Sequence, residues 1–273
     1  RYRGAMVYTN QRPSGALRGY GVTQICFALE SAVDELAHRL GMDPLELRRI
    51  NMIQQGQNYN PMGSEEQAKE LLSCRLPECL ELGSAAIAWD GLAARPVPAG
   101  QNILRGRGMA LSMQGSGLPG IDLASATIKL NDDGFFNLLM GATDLGTGSD
   151  TILSQIAAEE LGVDLDQVVP YSSDTDLTPF DSGAYASSTT YLSGNAVRRA
   201  AARMKEMIEE EAARLFGVDA KEVTFDGVAV TSRLDGQSMG LKKMAQERLY
   251  MGDQKQLGGT ESFVGKHSPP PLV

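Results

Sequence analysis

Apolar residues recur at helical spacing in the first part of the chain. Between residues 22 and 40 they form a single stripe that ends at Gly41, and this period predicts an amphipathic helix. The stretch Asp43-Pro44-Leu45-Glu46 follows. It supplies an N-cap residue, a proline suited to the first helical position and a glutamate that can complete a capping box, so it predicts a second, short helix. A third helix is predicted from Glu65 to about Gly83.

The pattern changes beyond residue 100, where alternating and helical periods follow one another. The predicted strands are 105–114, 124–130, 135–140 and 167–172, the predicted helices are 150–161, 189–216 and 241–249, and 221–231 is predicted to be a hairpin. The acidic run at 209–211 is interpreted as a solvated face of the long helix. A stretch with prolines and glycine at 90–100 predicts a linker. The sequence therefore predicts an α+β fold with mixed sheets and packed helices, divided into a mainly helical part at 1–95 and an α+β part at 96–273.

Composition narrows the possible partners. The 273 residues carry a formal net charge of −9, which argues against nucleic acid because phosphate backbones require concentrated Lys and Arg. No apolar run approaches the roughly 18 residues of a membrane helix, so no membrane partner is expected. Three cysteines and two histidines, without a CxxC pair, exclude a structural zinc site of the usual spacing. The odd cysteine count and the lack of a secretory segment fit a cytoplasmic protein.

Both ends of the chain indicate a longer assembly. The chain opens at Arg1 in sequence of structured character, and Ser268-Pro-Pro-Pro-Leu-Val273 is a stiff, extended stretch that normally leads into further structure. We therefore expect a fragment or one piece of a longer assembly.

Gly15-Ala-Leu-Arg-Gly-Tyr-Gly21 is the first of two glycine-rich segments. Clustered backbone N–H groups with few side chains, followed by a helix, can hold a phosphate or another oxyanion. On this interpretation Arg18 and the amides of Gly19 and Gly21 bind an anionic ligand, and the ring of Tyr20 is available for stacking. The alternative is a helix-entry turn whose arginine caps carbonyl groups or pairs with a carboxylate.

The second glycine-rich segment is Gly141-Ala-Thr-Asp-Leu-Gly-Thr-Gly-Ser-Asp150. It precedes a predicted helix, so Gly146-Thr147-Gly148 could bind a phosphate or a pterin. The alternative is an ordinary β-to-α turn in which Ser149 or Asp150 is the N-cap. The segment lacks the lysine of a P-loop and does not fit GxGxxG, so ATP and NAD are not expected.

A hydroxyl-rich segment at 172–190 is too long for a simple connection in a compact α/β unit. Ser187-Ser188-Thr189 lies where the long helix begins, so its hydroxyls and amides can donate to an anion. The aspartates at 174, 176 and 181 could bind a metal, but the EF-hand spacing is absent and a structural role is preferred. Gln114 follows a predicted strand and could hydrogen-bond a ligand. A hydrolase triad is excluded because there is no GxSxG motif and the two histidines are far apart.

In their order along the chain, these segments resemble the molybdenum-binding subunit of the xanthine dehydrogenase/aldehyde oxidase family, the molybdenum hydroxylases. The matching stretches are Pro13–Gly21 with Gln24, Asp43–Arg48 with Asn51, Gly141–Asp150, and Ala186–Thr190 followed by Ser193-Gly194. The resemblance implies a molybdopterin cofactor carrying molybdenum, in bacteria often as the cytosine dinucleotide. It also implies hydroxylation of an electron-poor carbon with oxygen from water, and electron transfer to 2Fe–2S clusters and FAD on other domains or subunits.

The resemblance also assigns roles to individual residues. It implies that the turn at Arg18–Gly21 approaches the molybdenum, with Arg18 and Tyr20 as catalytic residues and Tyr20 against the substrate. Gly146-Thr147-Gly148 matches a loop that contacts the pterin and its phosphate, and Ala186-Ser187-Ser188-Thr189 matches another cofactor-contacting turn. Gln114 is counted with the cofactor-binding residues. The family's base, a glutamate toward the far C-terminus, lies beyond this chain, so no general base and no protein ligand to the metal is assigned.

We therefore expect the cofactor-binding portion of a molybdenum hydroxylase that acts on a small aromatic N-heterocycle of the purine or nicotinate type, with Tyr20 as the reason for a flat substrate. The expected partners are the remaining molybdenum-binding polypeptide, which carries the catalytic glutamate, and FeS and FAD subunits. The chain alone is expected to be inactive. One alternative is an aldehyde oxidoreductase of the same family. The other is an isolated, non-catalytic cofactor-binding or interaction module.

Overall fold

The computed structural model divides the chain into two compact units. It describes residues 5, 7–12, 17, 19, 21–59, 69–89, 102, 106–112, 116–118, 120–251 and 254–266. The first unit comprises the described residues through 112 and the second those from 116 onward. The boundary and linker that the sequence predicts at 90–100 lie outside the described residues. In the part of the chain that is described, no helix is both long enough and apolar enough to cross a membrane.

Two helices open the first unit, and both were predicted from the sequence. Helix α1 (Val22–Leu40) ends at Gly41, whose φ of 64° lies in the left-handed region that glycine adopts most easily. Helix α2 (Pro44–Asn51) is capped by Asp43, whose carboxylate accepts the N–H of Leu45 at 2.6 Å. The capping box expected between Asp43 and Glu46 does not form in the described structure, because the carboxylate of Glu46 pairs with the guanidinium of Arg49.

The helix expected from Glu65 to Gly83 is wrong at residues 69–75, and residues 65–68 lie outside the described residues. Strands β1 (Asn58–Tyr59) and β2 (Lys69–Glu70) form a short antiparallel pair, and helix α3 (Leu76–Ala86) begins only afterwards. Pro77 explains the late start. Proline lacks an N–H and its ring clashes with the preceding turn, so it is tolerated in the first turn of a helix and not in its interior.

A buried ion-pair cluster joins α2 to α1. The side chain of Arg48 is only 3% exposed and donates to Glu30 at 2.8 Å and to Asp34 at 2.7 Å. Glu30 also accepts the backbone N–H of Leu111 at 2.9 Å. A guanidinium at this depth is tolerated because its charge is compensated by carboxylates and its N–H groups are hydrogen-bonded.

The second unit is built on a four-stranded mixed sheet. Its elements, in chain order, are β3 (Leu123–Leu130), β4 (Phe136–Met140), α4 (Ser149–Leu161), β5 (Val168–Ser172), α5 (Thr189–Phe216), β6 (Val223–Phe225), β7 (Ala229–Ser232), β8 (Ser238–Gly240), α6 (Leu241–Gln246) and β9 (Gly258–Val264). The sheet order is β5-β4-β3-β9, with β4 parallel to β5 and the other pairs antiparallel. Strands β6, β7 and β8 form a separate small sheet. The α+β class is confirmed.

Most of the elements predicted for this unit are present, including β3, β4, β5, α4, α5, α6 and the β6–β7 hairpin. The strand expected at 105–114 is wrong for its described residues, since 106–112 form no strand. Gly106 and Gly108 weaken a strand there because glycine carries no side chain to pack. Strand β9 was not predicted.

The core of the second unit lies between the sheet and helix α5. Alternate residues of β3 are buried, and α5 buries an alanine-rich face that also contains Met204 and Ile208.

Small side chains let α5 approach α4 closely. A Cβ added at Gly194 would lie 3.0 Å from Cδ1 of Ile156. This contact sets the second turn of α5 against the middle of α4.

The solvated face expected for the acidic run at 209–211 is confirmed at Glu210, which is exposed, and is wrong at its two neighbours. Glu211 is buried and forms ion pairs with Arg214 at 2.6 Å and with Arg248 at 2.8 Å. Glu209 accepts the backbone N–H of Phe225 at 3.0 Å. The segments after α5 fold back over this part of the helix and bring a cation and an amide donor to these carboxylates.

Candidate functional site

The turn that leads into α4 is organised around one carboxylate. Oδ1 of Asp144 accepts the backbone N–H groups of Gly146 and Thr147 at 2.8 Å each and that of Gly148 at 3.1 Å. Gly148, with φ 74°, is the N-cap of α4, and a glycine has no side chain that could cap the helix. The alternative with Ser149 or Asp150 as N-cap is therefore wrong, because Asp144 supplies the capping carboxylate from earlier in the turn.

Asp144 brings a negative charge to the positive end of α4. Desolvation raises the pKa of Asp144, but the amides of Gly148, Gly146 and Thr147 outweigh it and hold the pKa below its ordinary value. The carboxylate is therefore ionised at neutral pH. An ionised group at this end of a helix is stabilised by the helix dipole.

Other polar groups at the start of α4 have no partner within the described residues. Ser149 is 4% exposed, and its Oγ is buried without a hydrogen bond. Oδ1 of Asp150 is buried without one as well. Buried polar atoms are nearly always satisfied in native proteins, so orphaned atoms call for an explanation such as a missing ligand or water. Thr147, in contrast, exposes its side chain to solvent.

The turn that leads into α5 is strained. Ala186 and Ser187 both have left-handed φ values, 50° and 54°, which are uncommon for residues other than glycine. The N-cap, Ser188, makes no side-chain cap hydrogen bond. The first backbone N–H groups of a helix have no intrahelical acceptor, so this helix start offers donors to a ligand. Consecutive strained residues of this kind are concentrated at ligand-binding turns.

These two helix starts belong to one edge of the sheet. Helix α4 connects the parallel strands β4 and β5, so it begins at the edge where both strands end. The segment after β4 meets the segment before α5 there, since a Cβ at Gly141 would lie 2.6 Å from the carbonyl oxygen of Pro179 and 2.7 Å from Cβ of Asp181. Oδ2 of Asp181 accepts the hydroxyl of Ser193, in the first turns of α5, at 2.7 Å.

A third segment attaches to the same edge. Gly117 donates its backbone N–H to the carbonyl of Ala186 at 2.8 Å. The buried carboxylate of Asp122 accepts the hydroxyl of Tyr185 at 2.5 Å and the N–H of Leu118 at 2.7 Å. Asp122 and Tyr185 were not singled out from the sequence. A lone aspartate and a lone tyrosine carry no local signal, because their partnership joins distant parts of the chain.

The first glycine-rich segment is described only in part. Gly19 and Gly21 have φ values of 97° and 89°. The carbonyl of Gly19 accepts the N–H of Val22 at 2.9 Å, and that of Gly21 accepts the N–H of Ile25 at 3.2 Å. These residues form a tight, left-handed entry into α1, within the first unit. The candidate residues Arg18, Tyr20 and Gln114 lie outside the described residues.

Two of the three aspartates weighed as metal ligands, Asp174 and Asp181, accept hydrogen bonds from the protein. Asp174 accepts the hydroxyl of Tyr171 at 2.7 Å and the N–H of Asp176 at 3.0 Å. These two donors hold the pKa of Asp174 below its ordinary value. Asp181 binds Ser193 and the N–H of Gly183. Within the described residues there is no group of three or more His, Cys, Asp or Glu side chains that could hold a metal ion.

Comparison with known proteins gives matches over most of the chain. Two family models, both described as a molybdopterin cofactor-binding domain, match residues 1–52 and 83–271. The xanthine dehydrogenase molybdenum-binding subunit of Escherichia coli O157:H7 is 36% identical over 275 residues, which cover 99% of this chain and 36% of the relative. The aldehyde oxidoreductase molybdenum-binding subunit PaoC of the same strain is 30% identical over 282 residues, covering 98% of this chain and 36% of the relative.

The fold is also found in solved structures. The crystal structure of quinoline 2-oxidoreductase from Pseudomonas putida 86 superposes with a TM-score of 0.76 at 20% identity, over 96% of this chain and 35% of that chain. The chain spans about a third of the length of the relatives it matches. From the family model over residues 83–271 and the helix starts assembled at one sheet edge, we conclude that the chain belongs to the molybdopterin cofactor-binding domain family.

Proposed function

We propose that this chain is the cofactor-holding portion of a molybdenum hydroxylase that hydroxylates an aromatic N-heterocycle of the purine or nicotinate type with oxygen from water. The observation that supports it most is the pair of helix starts, α4 and α5, at one edge of the sheet in the second unit. When bound, the molybdenum–pterin group supplies the redox centre that takes up the substrate's electrons. The 2Fe–2S clusters and FAD that accept these electrons belong, in this proposal, to partner domains or subunits.

The residues at the start of α5 fit an anionic part of the cofactor. The strained turn at Ala186-Ser187 leads to Thr189, whose hydroxyl lies beside the first N–H groups of α5, which have no intrahelical acceptor. Ser188 is buried and donates its hydroxyl to Gly183 and its N–H to Tyr185, so it shapes this turn from within the chain. A helix N-terminus of this kind binds phosphate through its amide donors and its dipole. This donor set supports the cytosine dinucleotide form of the cofactor, whose pyrophosphate needs several donors at once.

The residues at the start of α4 fit a polar, hydrogen-bonding part of the cofactor. Thr147 is exposed on a turn with left-handed glycines on either side, Gly146 at 85° and Gly148 at 74°. The orphaned Oγ of Ser149 lies next to this turn in the chain. Gln114 is proposed as a further cofactor contact because its side chain could hydrogen-bond a ligand, and Gly117, near it in the chain, donates its backbone N–H to the carbonyl of Ala186.

Arg18 and Tyr20 remain the proposed catalytic residues. Gly19, which lies between them in the chain, and Gly21 form a tight turn at the entry to α1. Arg18 would contact the anionic end of the cofactor near the metal, and the ring of Tyr20 would stack on a flat substrate.

The proposed first partner is the remaining molybdenum-binding polypeptide with its catalytic glutamate. Among the residues of α1, only Ala37 is buried. The helix exposes large apolar side chains, namely Ile25 at 68%, Phe27 at 78%, Leu29 at 58%, Leu36 at 49% and Leu40 at 59%. Exposed apolar surface of this kind marks an interaction site. Because the glutamate would come from that partner, we propose that this chain alone is inactive. We also propose that the assembly works in the cytoplasm, in keeping with the odd cysteine count.

The substrate class can be tested on the assembly purified from its native host. We expect iron and flavin to co-purify with the chain, and we expect turnover of purines or nicotinate in preference to aldehydes. The relative PaoC supports the aldehyde oxidoreductase as the second candidate, and faster turnover of aldehydes than of every heterocycle would favour it. Purification of a stable, lone chain without iron or flavin would favour the non-catalytic module.

A further inference from the structure

The three amides of the turn before α4 are already used within the chain. One oxygen atom, Oδ1 of Asp144, accepts the N–H groups of Gly146, Thr147 and Gly148 at 2.8–3.1 Å. Three N–H groups that converge on one protein oxygen point at that oxygen. They are therefore not directed at a ligand outside the turn, although the sequence alone made them the expected donors.

The same hydrogen bonds fix the side chain that the turn does present. Thr147 lies between two glycines in left-handed conformations, and such a turn has many accessible backbone states when nothing restrains it. Asp144 restrains all three residues at once. The side chain of Thr147 is exposed, so its hydroxyl is the group of this turn that is free to meet a ligand.

We propose that Asp144 is a positioning residue that acts through Thr147, and that the cofactor contacts this turn through the Thr147 hydroxyl and not through the amides of residues 146–148. This inference rests on the proposed function. A carboxylate at the centre of the turn also repels phosphate. The turn therefore takes an uncharged, hydrogen-bonding edge of the pterin, and the phosphates belong at the start of α5, whose N-cap Ser188 makes no side-chain cap hydrogen bond.

The test uses variants of the chain in its native assembly, with molybdopterin per chain as the readout. Thr147→Val removes the hydroxyl and keeps the shape, and one lost hydrogen bond should weaken cofactor retention by about five- to tenfold. Thr147→Ser should retain it. Asp144→Ala should weaken retention to a similar extent, whereas Asp144→Asn should largely restore it because its amide oxygen can still accept the three N–H groups.

A control aspartate separates positioning from general stability. Oδ1 of Asp226 accepts the N–H groups of Val228 and Ala229 at 2.9 and 2.8 Å in the β6–β7 turn. Asp226→Ala therefore removes a similar cap from the same unit, and it should leave cofactor retention unchanged. Hydrogen exchange of the unloaded full chain should show faster exchange at residues 146–148 in Asp144→Ala and wild-type rates there in Asp226→Ala.

The double variant Asp144→Ala/Thr147→Val decides the mechanism. If Asp144 acts through Thr147, the double variant retains as much molybdopterin as either single variant. If the loss of molybdopterin in the double variant is the product of the losses in the two single variants, the inference is overturned while the proposed function stands. Full retention of molybdopterin by Thr147→Val would overturn it in the same way. A wild-type assembly without molybdopterin would overturn the proposed function and this inference with it. If Asp144→Ala does not fold, Thr147→Val and Asp144→Asn still test the inference. It requires that Thr147→Val lose molybdopterin and that Asp144→Asn retain it.

Discussion

Gly141 and Asp181 approach so closely that a single added carbon atom would collide with both the loop backbone and the aspartate. A Cβ on Gly141 would stand 2.7 Å from Cβ of Asp181 and 2.6 Å from the carbonyl oxygen of Pro179. Asp181 in turn binds Ser193 of α5. This contact couples the segment before α4 to the segment before α5, and it keeps both helix starts at one edge of the sheet.

Gly141→Ala should therefore destabilise the second unit. The Cβ has no space without a backbone shift, and overpacking of this kind typically costs about 1–3 kcal/mol. The free energy of unfolding, measured in urea, checks the value. Gly240→Ala is the matched control because nothing lies within 4 Å of its added Cβ, and it should change stability by less than about 0.5 kcal/mol. Equal effects of the two substitutions would contradict the close approach.

The turn at Asp144 should be sensitive to acid. Its pKa is lowered in the folded chain from the ordinary value of 3.8. The stabilisation that it provides is thus present above that value and is lost as the pH falls through the lower, folded pKa. We expect the protection of the amides at 146–148, corrected for intrinsic exchange rates, to fall with acidification in the wild type. In Asp144→Asn the protection should change little over the same range, and an equal fall in both would contradict this origin.

Arg48 should be among the most sensitive positions of the first unit. Its 3% exposed side chain neutralises Glu30 and Asp34, and removing one partner of a buried ionic cluster typically costs about 3–5 kcal/mol. Arg48→Met should lower the free energy of unfolding by this amount. Arg39→Ala, which breaks a pair whose side chains are 75% and 66% exposed, should cost less than about 1 kcal/mol. Comparable losses would show that the buried cluster contributes little.

Tyr20 should govern the affinity for flat substrates. Stacking contributes about 0.5–1.5 kcal/mol beyond area burial, so Tyr20→Ala in the intact assembly should raise KM for heterocycles several-fold. Tyr20→Phe retains the ring and should leave KM near the wild-type value. Steady-state kinetics on purines or nicotinate gives the answer, and an unchanged KM in Tyr20→Ala would remove the ring from the substrate site.

The helices were predictable because their signals are local. The stripe at 22–40, the glycine at 41 and the Asp43-Pro44 start define α1 and α2 within a few neighbouring residues. The late start of α3 was also visible in principle, since Pro77 forbids a helix interior. Strand β9 was not predictable in the same way, because it pairs with β3 from the far end of the chain.

The site was predictable in its segments but not in its hydrogen bonds. The glycine pattern of 146–148 marked a turn before a helix, yet it did not reveal that Asp144 takes all three amides. The pairing of Asp122 with Tyr185 and the burial of Glu211 were equally hidden. In each case the partner is set by tertiary contacts, and side-chain chemistry alone does not say which donor a carboxylate will meet.

The molybdenum and pterin content of the native assembly tests most directly whether the start of α5 holds the cofactor. Ser187→Asp places a carboxylate in the proposed phosphate site, and aspartate tolerates the left-handed conformation of this residue. We expect close to one molybdenum and one pterin per wild-type chain and a loss of at least about tenfold in Ser187→Asp, with Ser238→Asp, on the exposed small sheet, as the control. Full occupancy in Ser187→Asp, or no molybdenum in the wild type, would contradict the proposed cofactor site.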